Sequence, residues 1–329
     1  LQVGESGQLK PTALNEGSAT TTPIHHLVVI FDENVSFDHY FGTYPNALNP
    51  PGEPPFHAAP GTPSVNGLDY ALVHDNPNES NPQRLGPDQA LTCDQDHAYT
   101  PEQSAFDGGL MDRFVQYTNN KKDDTVALCT GKASGTSPNY TVMDYYDGNT
   151  VTAMWNYAQH FAMSDNAFGS AFGPSSPGAI ELASGNTFGA ICGPSGGVYG
   201  PVSTCPSTVV NGKTEPYSIA ATPGVPQPAG PGTEYDDRDP YFDVCSQVYG
   251  GGLVEMGGKN IGDLLNAAGV TWGWFQGGFA DGFVPGPGKV FNPNNPNLCK
   301  EQHRNIGGVE VTDYIPHHEP FQFLSLIHI

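Results

Sequence analysis

Residues 26–31 read His-Leu-Val-Val-Ile-Phe, a nearly continuous apolar run that is rich in β-branched side chains. This pattern is typical of a strand that is buried on both faces in a parallel sheet. The run ends abruptly in Asp32, Glu33 and Asn34. Because ligands in open α/β sheets bind just beyond the carboxyl ends of the strands, this polar cluster is a candidate functional site.

Two later segments place apolar residues at helical spacing. Thr100, followed by Pro101 and Gln103, predicts the start of one helix. Thr150 is expected to cap a second helix. That helix carries a single apolar stripe, made of Val151, Met154, Trp155, Ala158, Phe161 and Ala162.

Two further segments predict helices with clear stop signals. Ser175-Ser176-Pro177 predicts a capped helix start with Pro177 at the first helical position, and Gly185 after Ser184 predicts a glycine stop. Residues 260–269 predict a short helix that also ends in glycine, and the β-branched and aromatic residues 270–275 predict a strand after it. This alternation of helix and strand indicates the α/β fold class.

Long loops and two short termini complete the organisation of the chain. Residues 45–89 and 186–258 are rich in glycine, proline or asparagine and predict irregular surface segments. We divide the chain into a polar lead over residues 1–23, one domain over residues 24–323, and a tail over residues 324–329. The tail, Leu-Ser-Leu-Ile-His-Ile, matches the translation of a common transposon-end sequencing adapter. It therefore predicts read-through, and a short native apolar terminus is the alternative.

Charge and composition limit the kinds of molecule and surface that this protein is expected to bind. The chain has 329 residues, with 12 Lys and Arg against 34 Asp and Glu, which gives a formal net charge of -22. Such a protein repels nucleic acid and anionic lipid surfaces, so we expect no nucleic-acid partner. No apolar run approaches the ~20 residues of a membrane-spanning helix, so we expect no stable membrane insertion.

The cysteines and the N-terminal lead indicate an oxidising compartment. The six cysteines form no Cys-x-x-Cys pair, and their even number on loop-rich segments predicts disulfides. Cys192 and Cys205 bracket a Gly/Pro-rich loop and are the pair that we expect first, whereas six unlinked buried thiols are the alternative. The polar lead without an initiator Met fits a removed signal peptide or a start inside the gene. We expect a secreted or periplasmic protein.

Three groups of residues carry candidate chemistry. Glu33 and Asn34 offer oxygen atoms that suit a divalent cation, although a polar turn after a strand has the same composition. Ser175 lies where a helix start could hold phosphate oxygens near a nucleophile, but serines at helix starts more often act as caps. Histidines can protonate a leaving group or bind phosphate oxygens. The candidates of this kind are His97, His317 and His318.

A further acidic run, Asp236-Asp237-Arg238-Asp239, could hold calcium. Such a run more commonly forms a solvated acidic loop, and we expect a solvated loop here.

The segment Asp32 to Gly42 resembles the N-terminal signature of the bacterial phospholipase C and acid phosphatase family, Glu-Asn-x-Ser-Phe-Asp-His-Tyr-Phe-Gly. Further similar motifs follow in the family's order and span nearly everything from Ile24 to Phe323. They are Asp94 to Thr100, Gly148 to Val151, Phe172 to Gly185, Gly258 to Leu265, Trp272 to Gly278 and Tyr314 to Phe321.

This resemblance implies an alkaline-phosphatase-like fold, in which a central, mostly parallel sheet lies between helices. It implies that Glu33, Asn34 and Ser175 bind a divalent metal ion of unknown identity. Ser175 would also be the nucleophile and form a phosphoserine, with Ser176 as the less favoured choice. His97, and His317 or His318, would assist at the phosphate of a small-molecule phosphate ester or a phospholipid head group.

Departures from the family pattern limit these expectations. The family completes its metal site with an adjacent Asp-Asp pair near the end of the domain, and this chain contains no such motif. Asp123-Asp124 and Asp236-Asp237 lie in other contexts. We therefore expect these 329 residues to bind metal poorly and to have little activity. Asp32 stands where a neutral residue is expected, and Pro177-Gly178-Ala179 replaces the phospholipase-type Pro-Asn-Arg, so acid-phosphatase-like members are closest.

The leading hypothesis is a metal-dependent hydrolase of phosphoric esters, of the acid phosphatase or phospholipase C type. The alternatives are a secreted, non-catalytic binding protein on the same scaffold, or an inactive fragment of the enzyme. A sulfatase is a third reading, but Ser175-Ser176-Pro177 lacks the arginine that follows in sulfatases.

Overall fold

A computed structural model of the chain describes most of residues 22–324. The described residues are 2–3, 9–10, 22–31, 33–92, 95–119, 141–166, 168–169, 171–192, 207–210, 213–216, 226, 233–246, 253–279, 283–284, 290–291, 297–306, 308 and 310–324.

Seven α-helices lie in the described part of the chain. They are α1 (Phe37–Phe41), α2 (Tyr70–His74), α3 (Tyr99–Phe106), α4 (Phe114–Tyr117), α5 (Thr152–His160), α6 (Ser175–Ser184) and α7 (Ile261–Ala267). None of these described helices has the length and apolar character that crossing a membrane requires.

The four predicted helices form as α3, α5, α6 and α7 with shifted bounds, whereas α2 lies within residues 45–89, which were predicted to be irregular. Helix α6 begins two residues before Pro177 and ends at Gly185, whose φ of 65° is the left-handed conformation that glycine adopts at little cost. Asn260 caps α7, because its side chain accepts the backbone N–H of Asp263 and the Asp263 side chain accepts the N–H of Asn260.

The described strands are short and pair in twos. They are β1 (Gln2–Val3), β2 (Leu9–Lys10), β3 (Arg84–Leu85), β4 (Tyr145–Tyr146), β5 (Ile191–Cys192), β6 (Ser207–Val210), β7 (Lys213–Pro216), β8 (Val254–Glu255), β9 (Phe283–Val284), β10 (Val290–Phe291), β11 (Gln302–Arg304) and β12 (Glu310–Thr312). Strands β3 and β4 pair in parallel, whereas β1–β2, β5–β8, β6–β7, β9–β10 and β11–β12 are antiparallel.

The two predicted strands, of which residues 26–31 were expected to be buried on both faces, are not strands in this structure. Residues 26–31 and 270–275 pair with no described strand, and Leu27 and Phe275 are 82% and 93% exposed. A strand reaches two-sided burial only when neighbours pair with its edges and other elements cover its faces. The described residues thus form a mixed helix and strand fold that is consistent with α/β, while the central sheet stays a prediction.

One core cluster holds α6 in place. Ile180 and Ala183 of this helix pack with Tyr235, and with a set of apolar residues from β8 and from the end of the described chain. These are Val254, Met256, Phe321, Phe323 and Leu324. The backbone N–H of Met256 donates to the carbonyl of Phe323 at 2.8 Å. The start of α6 is therefore set by contacts with segments that lie far along the chain.

A second core cluster fixes the N-terminal half. Trp155 of α5 is fully buried between Tyr44 and Phe56, and its indole N–H donates to the carbonyl of Tyr40 at 2.7 Å. The stripe predicted for this helix is buried mainly at this tryptophan, since Phe161 at its end is 72% exposed.

One disulfide lies within the described residues and joins Cys245 to Cys299. Disulfide formation is therefore confirmed for this pair. The predicted pair Cys192–Cys205 includes Cys205, which lies outside the described residues. The division into lead, domain and tail stays a prediction, and residues 325–329 also lie outside the described part.

Candidate active site

The start of helix α6 is the centre of the candidate site. Ser175 is its first residue, and Pro174 stands at the N-cap position without a side-chain hydrogen bond. The interpretation of the two serines as caps is therefore wrong in this structure. Gly173, which precedes them, has a φ of 111° and turns the chain sharply into the helix.

The two serines have different environments. The hydroxyl of Ser176 donates to the carbonyl of Arg238 at 2.9 Å, and its side chain is fully buried. The hydroxyl of Ser175 points instead toward the side-chain oxygen of Asn34, at 3.5 Å. Ser175 is the serine whose oxygen faces other functional groups.

Glu33, on the segment that precedes α1, lies beside Ser175. Its carboxylate accepts a hydrogen bond from Nε2 of His318 at 2.5 Å. Burial raises the pKa of Glu33, but hydrogen bonds from His318 and Ser175 and the nearby His317 outweigh burial, so the net pKa is lowered. Glu33 is therefore held as a carboxylate at the nucleophile.

The two C-terminal histidines come from a single 3-10 turn, Pro316–His318, that packs against α6. Their rings are nearly perpendicular, with centroids 4.6 Å apart. His317 directs Nδ1 toward Asp239 at 3.4 Å, whereas His318 faces Glu33. The turn thus aims one histidine at each side of the helix start.

His97 approaches the helix start from the segment before α3. Its Nδ1 lies 3.0 Å from the carbonyl oxygen of Gln95, and its Nε2 lies 3.3 Å from a carboxylate oxygen of Asp237. Both partners only accept hydrogen bonds, so the ring satisfies both contacts when both of its nitrogens carry protons. His97 is thus held between a backbone carbonyl and a carboxylate.

Asp237 connects His97 to the helix. Its other carboxylate oxygen accepts the backbone N–H of Ser176 at 3.2 Å. Burial raises the pKa of Asp237, but the hydrogen bond from His97, the nearby His317 and the N–H of Ser176 lower it further than burial raises it. Asp237 is a carboxylate between two histidines and the first turn of α6.

The prediction of a solvated acidic loop over residues 236–239 is wrong for two of its members. Asp236 is exposed, but Asp237 is half-buried and Asp239 is only 2% exposed. Asp237 lies 3.3 Å from His97, and Asp239 lies 3.4 Å from His317. The Asp-x-Asp spacing was the signal in the sequence that could have identified them.

Two further buried carboxyl groups support the turn before Ser175. Glu102 accepts the backbone N–H of Gly173 at 2.7 Å, and Glu234 accepts that of Asp236 at 2.9 Å. Burial, opposed in part by these hydrogen bonds and reinforced by neighbouring acidic groups, raises the pKa of each carboxyl to about 7. They lie behind the site rather than at its oxygen atoms.

A sequence profile of the Phosphoesterase family matches residues 24–321. The chain belongs to the phosphoesterase family. The resemblance drawn from the motifs is thereby confirmed, and the matched region contains every residue proposed for the site. Membership supports hydrolysis of phosphoric esters and implies phosphate esters as substrates.

The oxygen atoms at the candidate site of this phosphoesterase are of the types that bind hard divalent cations. A carboxylate, an amide oxygen and a hydroxyl, from Glu33, Asn34 and Ser175, meet at one place, and such groups are the usual ligands of magnesium and calcium. Within the described residues, no group of three or more His, Cys, Asp or Glu side chains is arranged to hold a metal. Asp32 lies outside these residues.

Proposed function

We propose that this phosphoesterase hydrolyses phosphoric esters by a metal-dependent reaction in which Ser175 is the nucleophile and a phosphoserine is the intermediate. The observation that carries the proposal is the convergence at Ser175. Its hydroxyl faces Asn34 and Glu33, and His318 and His317 stand on the neighbouring turn.

The reaction would proceed in two displacements at phosphorus. Ser175 would lose its hydroxyl proton to a neighbouring base as its oxygen forms a bond to phosphorus. The bond from phosphorus to the alcohol oxygen then breaks, and a histidine gives that oxygen a proton. Water then attacks the phosphoserine, which releases inorganic phosphate and restores the hydroxyl. A divalent metal ion held by Glu33, Asn34 and Ser175 would lower the hydroxyl pKa and share the negative charge at phosphorus.

The histidines are assigned by the groups that orient them. Both ring nitrogens of His97 are engaged, by Gln95 and Asp237, so His97 would give a proton to a phosphate oxygen or a leaving alcohol only when one of these contacts opens. His317 is oriented by Asp239. Asp237 and Asp239 act through these histidines and are positioning residues.

The acid-phosphatase type is the version favoured here over the phospholipase C type, because Pro177-Gly178-Ala179 replaces the phospholipase sequence after the nucleophile. We also propose secretion or a periplasmic location. The Cys245–Cys299 disulfide supports an oxidising compartment, since such bonds are rare in the cytosol.

The test compares Ser175→Ala with Ser176→Ala in the full-length protein, with an aryl phosphate and added divalent metal. Ser175→Ala is expected to lower kcat by ~10⁴-fold or more, as loss of a nucleophile does in serine hydrolases. Ser176→Ala removes a hydroxyl bonded to Arg238 and should retain most of the activity. Retained activity in Ser175→Ala would exclude Ser175 as the nucleophile, and no activity in the unsubstituted protein would favour the non-catalytic reading.

A further inference from the structure

A cavity of about 610 Å³ opens directly beside the candidate nucleophile. Glu33 and His318 line one end of it, so the cavity begins at the proposed reaction site. Small-molecule pockets in proteins commonly measure about 300–1,000 Å³. A phosphate group has five heavy atoms and needs on the order of 150 Å³ if each is given the ~30 Å³ of a water molecule. The remaining space is larger than the phosphate.

The floor of the cavity is formed by α6, the helix that carries Ser175. Ala179 and Leu182 line the cavity, and they lie four and seven residues after the serine. Residues at this spacing share one face of an α-helix. The floor next to the nucleophile is therefore apolar.

One wall is aromatic, and its Trp274 side chain is held by a hydrogen bond and a ring contact. Trp274 and Phe275 line the cavity. The indole N–H of Trp274 donates to Gln276 at 3.3 Å, and its ring meets that of Phe321 edge to face at 5.8 Å. Gln276 in turn donates to the carbonyl of Ile315 at 3.0 Å. This wall is anchored to the same segment that carries the two C-terminal histidines.

The opposite wall is the β11–β12 hairpin. His303 and Asp313 line the cavity and contact each other through Nδ1 and a carboxylate oxygen. Gly278, at the end of the aromatic wall, packs so closely on Asp313 that an added Cβ would lie 2.4 Å from its carbonyl. The aromatic wall and the hairpin are thus in contact at Gly278 and Asp313, while the Phe275 side chain is 93% exposed.

We infer that this cavity binds the alcohol part of the substrate and selects phosphoric esters whose alcohol is compact and apolar, of about the size of one or two aromatic rings. The inference rests on the proposed function, because it places the ester bond at Ser175. An apolar floor and an aromatic wall stabilise such a group by removing its surface from water. A small polar alcohol gains nothing from either surface.

Calorimetric titration of the 329-residue chain with two phosphonates tests the inference. 1-Naphthylphosphonate and methylphosphonate carry the same charged group, and neither is hydrolysed. The naphthyl compound is expected to bind about tenfold more tightly or better, since a hydrophobic pocket discriminates by at least this factor. Phe275→Ala should remove most of that advantage and leave methylphosphonate binding unchanged, whereas Phe275→Tyr should retain it.

A matched control separates the cavity from a general loss of surface hydrophobicity. Phe168 is 84% exposed and does not line the cavity, so Phe168→Ala should leave both affinities unchanged. Equal affinities for the two phosphonates, or no binding of the naphthyl compound, overturn the inference. The proposed function is then judged separately by the kinetics of Ser175→Ala.

The same titration distinguishes the two sources of an apolar alcohol. Displacement of 1-naphthylphosphonate by a short-chain phosphatidylcholine identifies a lipid as the source. Failure of the lipid to displace it, with tight naphthyl binding, identifies a soluble aryl or alkyl ester. The second outcome supports the proposed compact alcohol, whereas the first shows that the site accepts a larger alcohol and overturns the proposed size.

Discussion

Replacing Glu234 by glutamine should stabilise the protein at neutral and alkaline pH. The Glu234 carboxyl is 6% exposed, and one oxygen accepts the N–H of Asp236. The other lies so close to Gly173 that an added Cβ there would approach it to 2.7 Å. Burial, and the nearby carboxyl groups of Glu102 and Asp237, raise the pKa of Glu234 to about 7 from 4.5.

The sign of the effect follows from proton binding. Between pH 4.5 and about 7, the folded protein holds a proton on Glu234 that the unfolded chain has released. Stability therefore falls as pH rises through this window, and the penalty is complete above it. At ~1.4 kcal/mol per pKa unit, the rise from 4.5 to about 7 corresponds to about 3.5 kcal/mol at most. Because Glu234 and Glu102 interact, this destabilisation belongs to the pair of carboxyl groups. We therefore expect Glu234→Gln to recover about 1–3 kcal/mol of it.

Glutamine keeps the oxygen that accepts the Asp236 N–H and removes the ionisation. Urea unfolding of Glu234→Gln should show a gain of about 1–3 kcal/mol at about pH 8 and almost none at about pH 4.5. Glu79→Gln, which makes the same change at an exposed site, should have little effect at either pH. A loss of stability in Glu234→Gln at the higher pH, or the same change at both, would refute this reasoning.

Two more predictions concern the site and the disulfide. Asp237→Asn keeps an acceptor for the Ser176 N–H but loses the charge that faces His97, so kcat should fall about 10- to 100-fold with little change in KM. Adding His97→Ala should cause no further loss, and additive losses would contradict this coupling. Replacing Cys245 and Cys299 together by serine should cost about 4 kcal/mol in the free energy of unfolding, because the bond closes a loop of 54 residues. An unchanged urea midpoint would contradict that estimate.

Local signals in the sequence predicted the helices that carry the site, because helix starts and stops depend on neighbouring residues. Gly185 ends α6 as expected, and Asn260 caps α7. The start of α6 was placed two residues late, since Pro177 was taken as its first position. Proline is tolerated anywhere in the first turn, so it marks that turn but not its first residue.

Burial of the apolar runs was not predictable, because it depends on partners far along the chain. Residues 26–31 and 270–275 have the composition of buried strands, yet Leu27 and Phe275 are exposed in the described fold. A run of apolar residues reports the tendency to be buried and carries no information about which strands lie beside it.

The site itself was predicted in part. The family motifs identified Glu33, Asn34, Ser175 and the histidines, which the structure brings together around α6. Asp237 was missed as a partner of His97, because 140 residues separate them in the sequence. Its role depends on a tertiary contact, and composition alone made its loop look solvated.

The most direct test of the central claim is to trap the intermediate. The full-length protein is mixed with an aryl phosphate and divalent metal, quenched in acid within a single turnover, and digested for mass spectrometry. A phosphoryl group on Ser175, absent from the Ser175→Ala protein and present in Ser176→Ala, is the predicted result. Turnover with an unmodified Ser175, or with phosphate on another residue, would contradict the account.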